Sequence, residues 1–157
     1  MRIRALSPGD REPLAAAIVS SGVFTPAEVR VALEILEAGL SGAAGDAYLF
    51  VVAEADGTAI GYACYGSAPL TDRVFDLYWI VVHPEHQGRT VGRALLDAVE
   101  AAVRAEDARL LLIETNSKSE YTATRRFYAR QGYREVARVH DYYRVGDDKI
   151  VYEKRFA

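Results

Sequence analysis

The 157-residue chain has one cysteine, Cys64, so no disulfide can close within it and no thiolate cluster can hold a structural zinc. Proline is scarce as well, with five residues spread thinly, and no low-complexity or repeated segment appears, which argues against disorder. No stretch approaches the roughly 20 apolar residues that a membrane span needs. Met1-Arg2-Ile3-Arg4 passes directly into Ser7-Pro8-Gly9-Asp10 without an apolar run of signal-peptide length, so a reducing cytoplasm is expected rather than secretion or a membrane. The net charge is −3, and the arginines are interleaved with Asp and Glu instead of forming a basic stripe, so nucleic acid is not expected as a partner. Gly-Lys-Ser/Thr and Gly-x-Gly-x-x-Gly are both missing, which excludes a P-loop and a dinucleotide fingerprint.

Half of the residues are hydrophobic and about a quarter are charged, as in an ordinary globular protein, and the length suits one domain spanning 1–157. Ile3 to Leu6 reads as a short strand. Ser7, Pro8 and Asp10 then signal a helix start, and the helix should run to Ser20. Thr25-Pro26-Ala27-Glu28 repeats the signal ahead of Val29, Leu33, Leu36 and Leu40 at helical spacing. Tyr48 to Glu54 and Thr58 to Gly66 form two strands about an Asp56-Gly57 turn. Val74 to Val82 is apolar on both alternating faces except for Asp76, the pattern of a central strand covered on both sides.

From about Gly88 to Ala105 the period becomes helical, and Arg109 to Thr115 is another buried-type strand. Tyr121 to Gln131 reads as a helix stopped by Gly132, and Tyr133 to Val145 and Lys149 to Phe156 as strands flanking a Gly146-Asp147 turn. The order is β-α-α-β-β-β-α-β-α-β-β, an α/β class with a mixed sheet and helices on both faces.

The strongest local signal is the strand Val74–Val82, a short loop, and then Gln87-Gly88-Arg89-Thr90-Val91-Gly92 opening a helix. Free backbone N–H groups and the positive end of the helix dipole converge there, and glycine admits a phosphate close to the backbone. Taken alone, Gly88 and Gly92 would equally well shape a turn. Downstream stands Phe127-Tyr128-Ala129-Arg130-Gln131-Gly132-Tyr133.

Together these segments resemble the GNAT acetyltransferase superfamily. Its signature Gln/Arg-x-x-Gly-x-Gly/Ala is matched by Gln87 and Gly92, and its helix-ending Tyr-x-x-x-Gly-Phe/Tyr by Tyr128, Gly132 and Tyr133. Thr90 departs from the pattern, standing where the family usually has its first signature glycine. The resemblance runs over essentially the whole chain. It implies the GNAT fold, acetyl-coenzyme A as co-substrate, no metal, and direct attack of an amine on the thioester.

The resemblance also implies site residues. Gln87, Gly88, Arg89, Thr90, Val91, Gly92 and Arg93 would hold the pyrophosphate, a backbone N–H at Val81 or Val82 would polarise the thioester carbonyl, and Asn116 is a further cofactor contact. Tyr128 matches the tyrosine that protonates the departing thiolate in many relatives. Without the family it would read as a core tyrosine.

A lysine-like amine of pKa about 10.4 is deprotonated at pH 7 only about once in 2,500, so a base is useful. Asp76 interrupts an apolar strand and is the first candidate, against a cap or an arginine pair. Glu114, which interrupts Leu110-Leu111-Leu112-Ile113, is the alternative. Cys64 reads as a small core residue. Arg125, Arg126 and Arg130 read as a solvated helix face, and His83, His86 and His140 form no ligand cluster.

The acceptor stays open between a small amine, an amino acid, an aminoglycoside and a peptide N-terminus. Asp141-Tyr142-Tyr143 is reminiscent of ribosomal-protein N-terminal acetyltransferases, and Asp141 offers charge to a cationic acceptor. A homodimer is an open option, and a non-catalytic acyl-coenzyme A sensor is the competing class.

Overall fold

The computed structural model describes residues 1–88 and 90–156. The strands are β1 (Arg2–Arg4), β2 (Leu49–Ala55), β3 (Thr58–Ser67), β4 (Val74–Val82), β5 (Leu110–Asn116), β6 (Arg134–Arg144) and β7 (Asp147–Arg155). The helices are α1 (Arg11–Ser20), α2 (Pro26–Ser41), α3 (Val91–Ala105) and α4 (Thr122–Arg130). The strands form one mixed sheet in the order β1-β2-β3-β4-β5-β7-β6, in which β1–β2, β2–β3, β5–β7 and β7–β6 pair antiparallel and β4 runs parallel to β5. The α/β class and the element order are those expected. No described helix is long and apolar enough to cross a membrane.

The residues group into two compact units. The first comprises Met1–Ser67 and Tyr78–Ala102, the second Ala68–Leu77 and the chain from Val103 onward.

In the first unit the helix starts follow local hydrogen bonding. Thr25 Oγ1 accepts from the Glu28 N–H at 3.3 Å, and the Glu28 carboxylate accepts from the Thr25 N–H at 2.7 Å, a reciprocal capping box. Gly42, at φ +81°, closes α2 in the left-handed region. Asp56 and Gly57, at φ +50° and +77°, form the tight turn between β2 and β3.

The Ser7 signal begins a short 3-10 turn over Pro8–Asp10 before α1, and the buried Asp10 carboxylate accepts from the Ser7 N–H at 2.9 Å. Arg4 donates to both oxygens of Asp10, at 2.7 and 2.8 Å, and also to Glu54, which ties β1 to that turn and to β2.

Leu14 and Ile18 of α1, Leu36 of α2, Val52, Tyr62 and Val81 pack with Cys64 in the core of this unit. Tyr62 is fully buried, and its hydroxyl oxygen accepts from Trp79 Nε1 at 2.8 Å, so the polar atom inside this core is satisfied. Ala59 to Gly66 are buried on both faces of β3. It is β3, not β4, that is covered throughout. On β4 the alternating set Asp76, Tyr78, Ile80 and Val82 stays only half-buried, because that face lacks full cover.

In the second unit Leu111 and Ile113 of β5 are buried together with Ile150 and Tyr152 of β7, Tyr128 of α4, Tyr133 and Phe156. Gly132, at φ +89°, ends α4 as its position suggested. Every residue of β6 is exposed, as expected for the last strand in the order.

Three local expectations are corrected. The first strand ends at Arg4, and α3 starts at Val91, not Gly88, because Gly88 and Thr90 both have positive φ and cannot continue a right-handed helix. The last turn falls on Val145-Gly146, so Asp147 opens β7 opposite Arg144 and is buried.

Candidate active site

The loop from β4 to α3 is shaped by its own backbone. His83 N–H donates to Ile60 O at 2.8 Å, which holds the loop start against β3, and a 3-10 turn covers Pro84–His86. Gln87 Nε2 then donates to Val82 O at 3.0 Å, so this side chain pins the loop back onto the end of β4. Gly88 and Thr90 adopt φ of +72° and +65°. Thr90 O accepts the first helical hydrogen bond, from Ala94 N–H at 3.0 Å.

The N–H groups of Val91, Gly92 and Arg93 therefore fall in the first turn, where an α-helix offers them no acceptor of its own. Left-handed residues followed by a helix start make a concave array of donors suited to an anion. Arg93 is exposed and lies 3.7 Å from Asp97, one turn on. Arg89 lies outside the described residues.

Thr90 is the unusual member. A β-branched residue in the left-handed region is strained by roughly 1–2 kcal/mol. The family glycine that this position lacks would carry no such cost.

Val81 is buried and Val82 half-buried at the end of β4. Beside them, a β-carbon on Gly61 would meet Val81 O at 2.7 Å and Val82 Cα at 3.2 Å. Only glycine lets β3 approach the β4 backbone at this point. A glycine inside a strand, here between Ile60 and Tyr62, is the sequence signal that points to such an approach.

In the second unit, β4 and β5 run parallel with Asp76 opposite Leu112. Side-chain alternation puts Asp76, Leu112 and Glu114 on one face. β7 adds Lys149, opposite Asn116, to the same face, and Lys149 Nζ lies 3.2 Å from Glu114 Oε1. Asp76 is half-buried and, among the described residues, accepts no hydrogen bond and forms no ion pair. Its carboxyl is held above the usual carboxylate range, first by burial and then by the Glu114 charge, while Lys149 pulls the other way.

Tyr128 is buried with its ring edge-on to those of Phe127 and Tyr133, at 5.2 and 5.9 Å. Burial raises its phenol well above the ordinary tyrosine value. Asn116 Oδ1 accepts from the Lys118 N–H at 3.3 Å, so that side chain shapes its own loop.

Arg125 corrects the reading of a solvated helix face: its guanidinium donates to Asn116 O, Lys118 O and Thr122 Oγ1 at 2.8–3.1 Å and straps the loop to α4. Asp141 is likewise committed, its Oδ1 accepting from the Gly146 N–H at 2.6 Å. His83 Nδ1 faces the Glu85 N–H, and His140 Nδ1 lies 3.1 Å from Asp148. Among the described residues no cluster of three or more His, Cys, Asp or Glu side chains could hold a metal. Burial pushes the Cys64 thiol up to about 12, as befits a core residue and not a nucleophile.

The family model for the acetyltransferase (GNAT) domain matches residues 46–135, more than half of the chain. The chain belongs to the GNAT acetyltransferase family. A solved structure from Desulfovibrio desulfuricans, assigned as a GNAT-family acetyltransferase, is 43% identical, with 99% of this chain and 98% of that one covered and a TM-score of 0.92.

Two more distant structures share the GNAT fold. The ribosomal-protein-alanine N-acetyltransferase of Brucella melitensis is 20% identical over 99% of this chain and 100% of that one, with a TM-score of 0.77. The PaiA N-acetyltransferase of Thermoplasma acidophilum, in complex with coenzyme A, is 21% identical over 99% and 98%, with a TM-score of 0.72. No curated protein matches this GNAT chain.

Proposed function

We propose that this GNAT protein is a single-domain, cytoplasmic N-acetyltransferase that binds acetyl-coenzyme A and moves its acetyl group to a primary amine by direct attack. The observation that carries the reading is the donor array at the start of α3, preceded by Gly88 and Thr90 in left-handed geometry. Its fit to a pyrophosphate rests on backbone N–H groups, which any side chain leaves in place. Acetyl-coenzyme A, when bound, supplies a thioester whose acyl carbon accepts the amine and whose sulfur leaves.

The chain's residues do the rest. First-turn N–H groups of α3 and the Arg93 guanidinium bind the phosphates, with Arg89 as a further cation. A backbone N–H at Val81 or Val82 orients the carbonyl oxygen. Asp76 takes the ammonium proton, and its raised pKa brings it closer to that task at neutral pH. Glu114 is the alternative base. Tyr128 offers its hydroxyl proton to the leaving sulfur, and its raised pKa makes this hydrogen-bond assistance of modest size, about 10²-fold.

The acceptor is a small amine, an amino acid, an aminoglycoside or a peptide N-terminus. The alanine-directed relative from Brucella makes a peptide beginning with alanine a natural member of the panel.

The test is coenzyme A release from acetyl-coenzyme A, read with a thiol reagent, against lysine, spermidine, kanamycin and an alanine-initiated peptide. Turnover on at least one is expected. Thermal stabilisation by coenzyme A without turnover on any amine would identify a sensor instead. Absence of both would remove the cofactor assignment, since a ligand at 100 times its Kd stabilises by about 2.7 kcal/mol.

A further inference from the structure

The open face of β4, β5 and β7 holds two carboxylates and one ammonium whose arrangement is uneven. Glu114 is engaged: Lys149 Nζ lies 3.2 Å from its Oε1. Lys149 is itself held in place from the other side, with its Nζ 4.7 Å from the centre of the Tyr142 ring, a cation–π distance. Asp76 has no partner among the described residues. Of the other acids of β7 on this face, Glu153 is held by Arg134 and Arg155 at 2.8 and 3.0 Å, and Asp147 lies 3.9 Å from Lys118 and 4.0 Å from Arg144. The charges that bear on Asp76 are thus Glu114 from β5 and Lys149 from β7.

We infer that Lys149 is a positioning residue that decides which carboxylate serves as base: it engages Glu114 and leaves Asp76 to take the proton from the amine. The inference rests on the acetyl-transfer reading above and deepens it. A carboxylate whose oxygen is already held by an ammonium offers that lone pair poorly to a second cation, whereas an unengaged carboxylate offers both oxygens. In the transfer the amine nitrogen bonds to the acyl carbon and the carbon–sulfur bond breaks. The ammonium gives one proton to Asp76, which passes it to solvent. Tyr128 protonates the thiolate, and the second proton, lost from nitrogen as the amide forms, returns to Tyr128, so that both residues end as they began. Lys149 loses and gains nothing. Its charge also lowers the proton affinity of Asp76, against the larger raising effects of burial and the Glu114 charge.

The first measurement is the carboxyl ¹³C NMR titration of Asp76 in protein labelled at aspartate, with the resonance assigned by its loss in Asp76→Asn. Lys149→Met should move the Asp76 midpoint up by about 0.5–1 unit, the effect of removing one nearby charge at the protein surface, and Lys149→Arg should restore it. An unmoved midpoint in Lys149→Met overturns the proposal, and a purely structural role for Lys149 predicts that result.

The second measurement is turnover with the panel amine that reacts fastest. Asp76→Asn should lose about 10²-fold, and Asp76→Asn combined with Lys149→Met should recover at least about tenfold of that as the released Glu114 takes over. No recovery overturns the role of Lys149 in choosing the base. Full turnover in Asp76→Asn alone shows instead that the base assignment itself has failed. If no panel amine reacts, the transfer reading has failed, and the titration still decides whether Lys149 controls Asp76.

Discussion

A β-carbon placed on Gly61 would lie 2.7 Å from the carbonyl oxygen of Val81, closer than real β-carbons come to a backbone oxygen. The close approach fixes where the end of β4 sits, and with it the N–H groups assigned to the thioester. Gly61→Ala must push β3 and β4 apart. A loss of about 1–3 kcal/mol in urea unfolding is expected, as for overpacking, together with weaker coenzyme A binding by calorimetry. Unchanged stability would mean that this backbone yields freely.

Thr90 carries the opposite kind of misfit, a β-branched side chain at φ +65°. Thr90→Gly should relieve more strain than it adds in unfolded-state entropy, a net gain of about 0.5–1 kcal/mol that raises Tm by roughly 2–4 °C. Coenzyme A affinity should hold or improve. A lower Tm in the glycine variant would show that contacts of the threonine side chain outweigh the strain.

Tyr128 is buried between Phe127 and Tyr133, and burial raises its phenol. Tyr128→Phe keeps both ring contacts. It should therefore lower kcat by about 10²-fold while leaving Tm and coenzyme A affinity within error. Equal turnover of the two proteins would take the acid role away from this residue.

Asp76 is held above its ordinary pKa, so its linkage to stability has the reverse of the usual carboxylate sign. The protonated form is favoured in the folded state. That contribution is present below the unfolded pKa and is lost as pH rises through the folded one. Asp76→Asn should consequently melt higher than the parent at neutral pH, with the difference shrinking in acid, even as its turnover falls. A Tm below that of the parent at pH 7 would contradict the burial argument.

Asp10 shows the ordinary sign. Burial pushes its carboxyl up, but the Arg4 hydrogen bonds and the Ser7 N–H outweigh that and hold it below the usual range. Its stabilisation is present above the unfolded pKa and lost as pH falls through the folded one. Arg4→Met leaves this acid buried without its cation and should cost about 3–5 kcal/mol near neutral pH. The deficit should narrow in strongly acid solution, where Asp10 is protonated. Denaturation curves at two pH values test both parts.

Much of this architecture is legible along the chain because its signals are short-range. Thr25 and Glu28 cap a helix across three residues, Asp56-Gly57 turns a hairpin, and Gly132 stops α4. Each depends on φ/ψ preferences and hydrogen bonds between near neighbours, which composition encodes directly. The last turn lies one residue earlier than expected because Gly146 and Asp147 both suit turns, and burial of Asp147 in β7 is not a local property.

The family-model match over residues 46–135 shows the family membership. The segment Gln87–Gly92, together with Tyr128 and Gly132, carries the resemblance to the family along the sequence, because a donor array at a helix start needs only glycine, strand and helix in order. Its tension at Thr90 was also visible there. What the tertiary structure alone decided is which charges meet. Arg4 finds Asp10 and Glu54, Arg125 turns onto the loop at Asn116, and Lys149 reaches Glu114 while Asp76 has no partner among the described residues. The Arg4–Glu54 and Lys149–Glu114 pairs follow from strand register, which brings together residues 50 and 35 positions apart through pairings that no local pattern specifies.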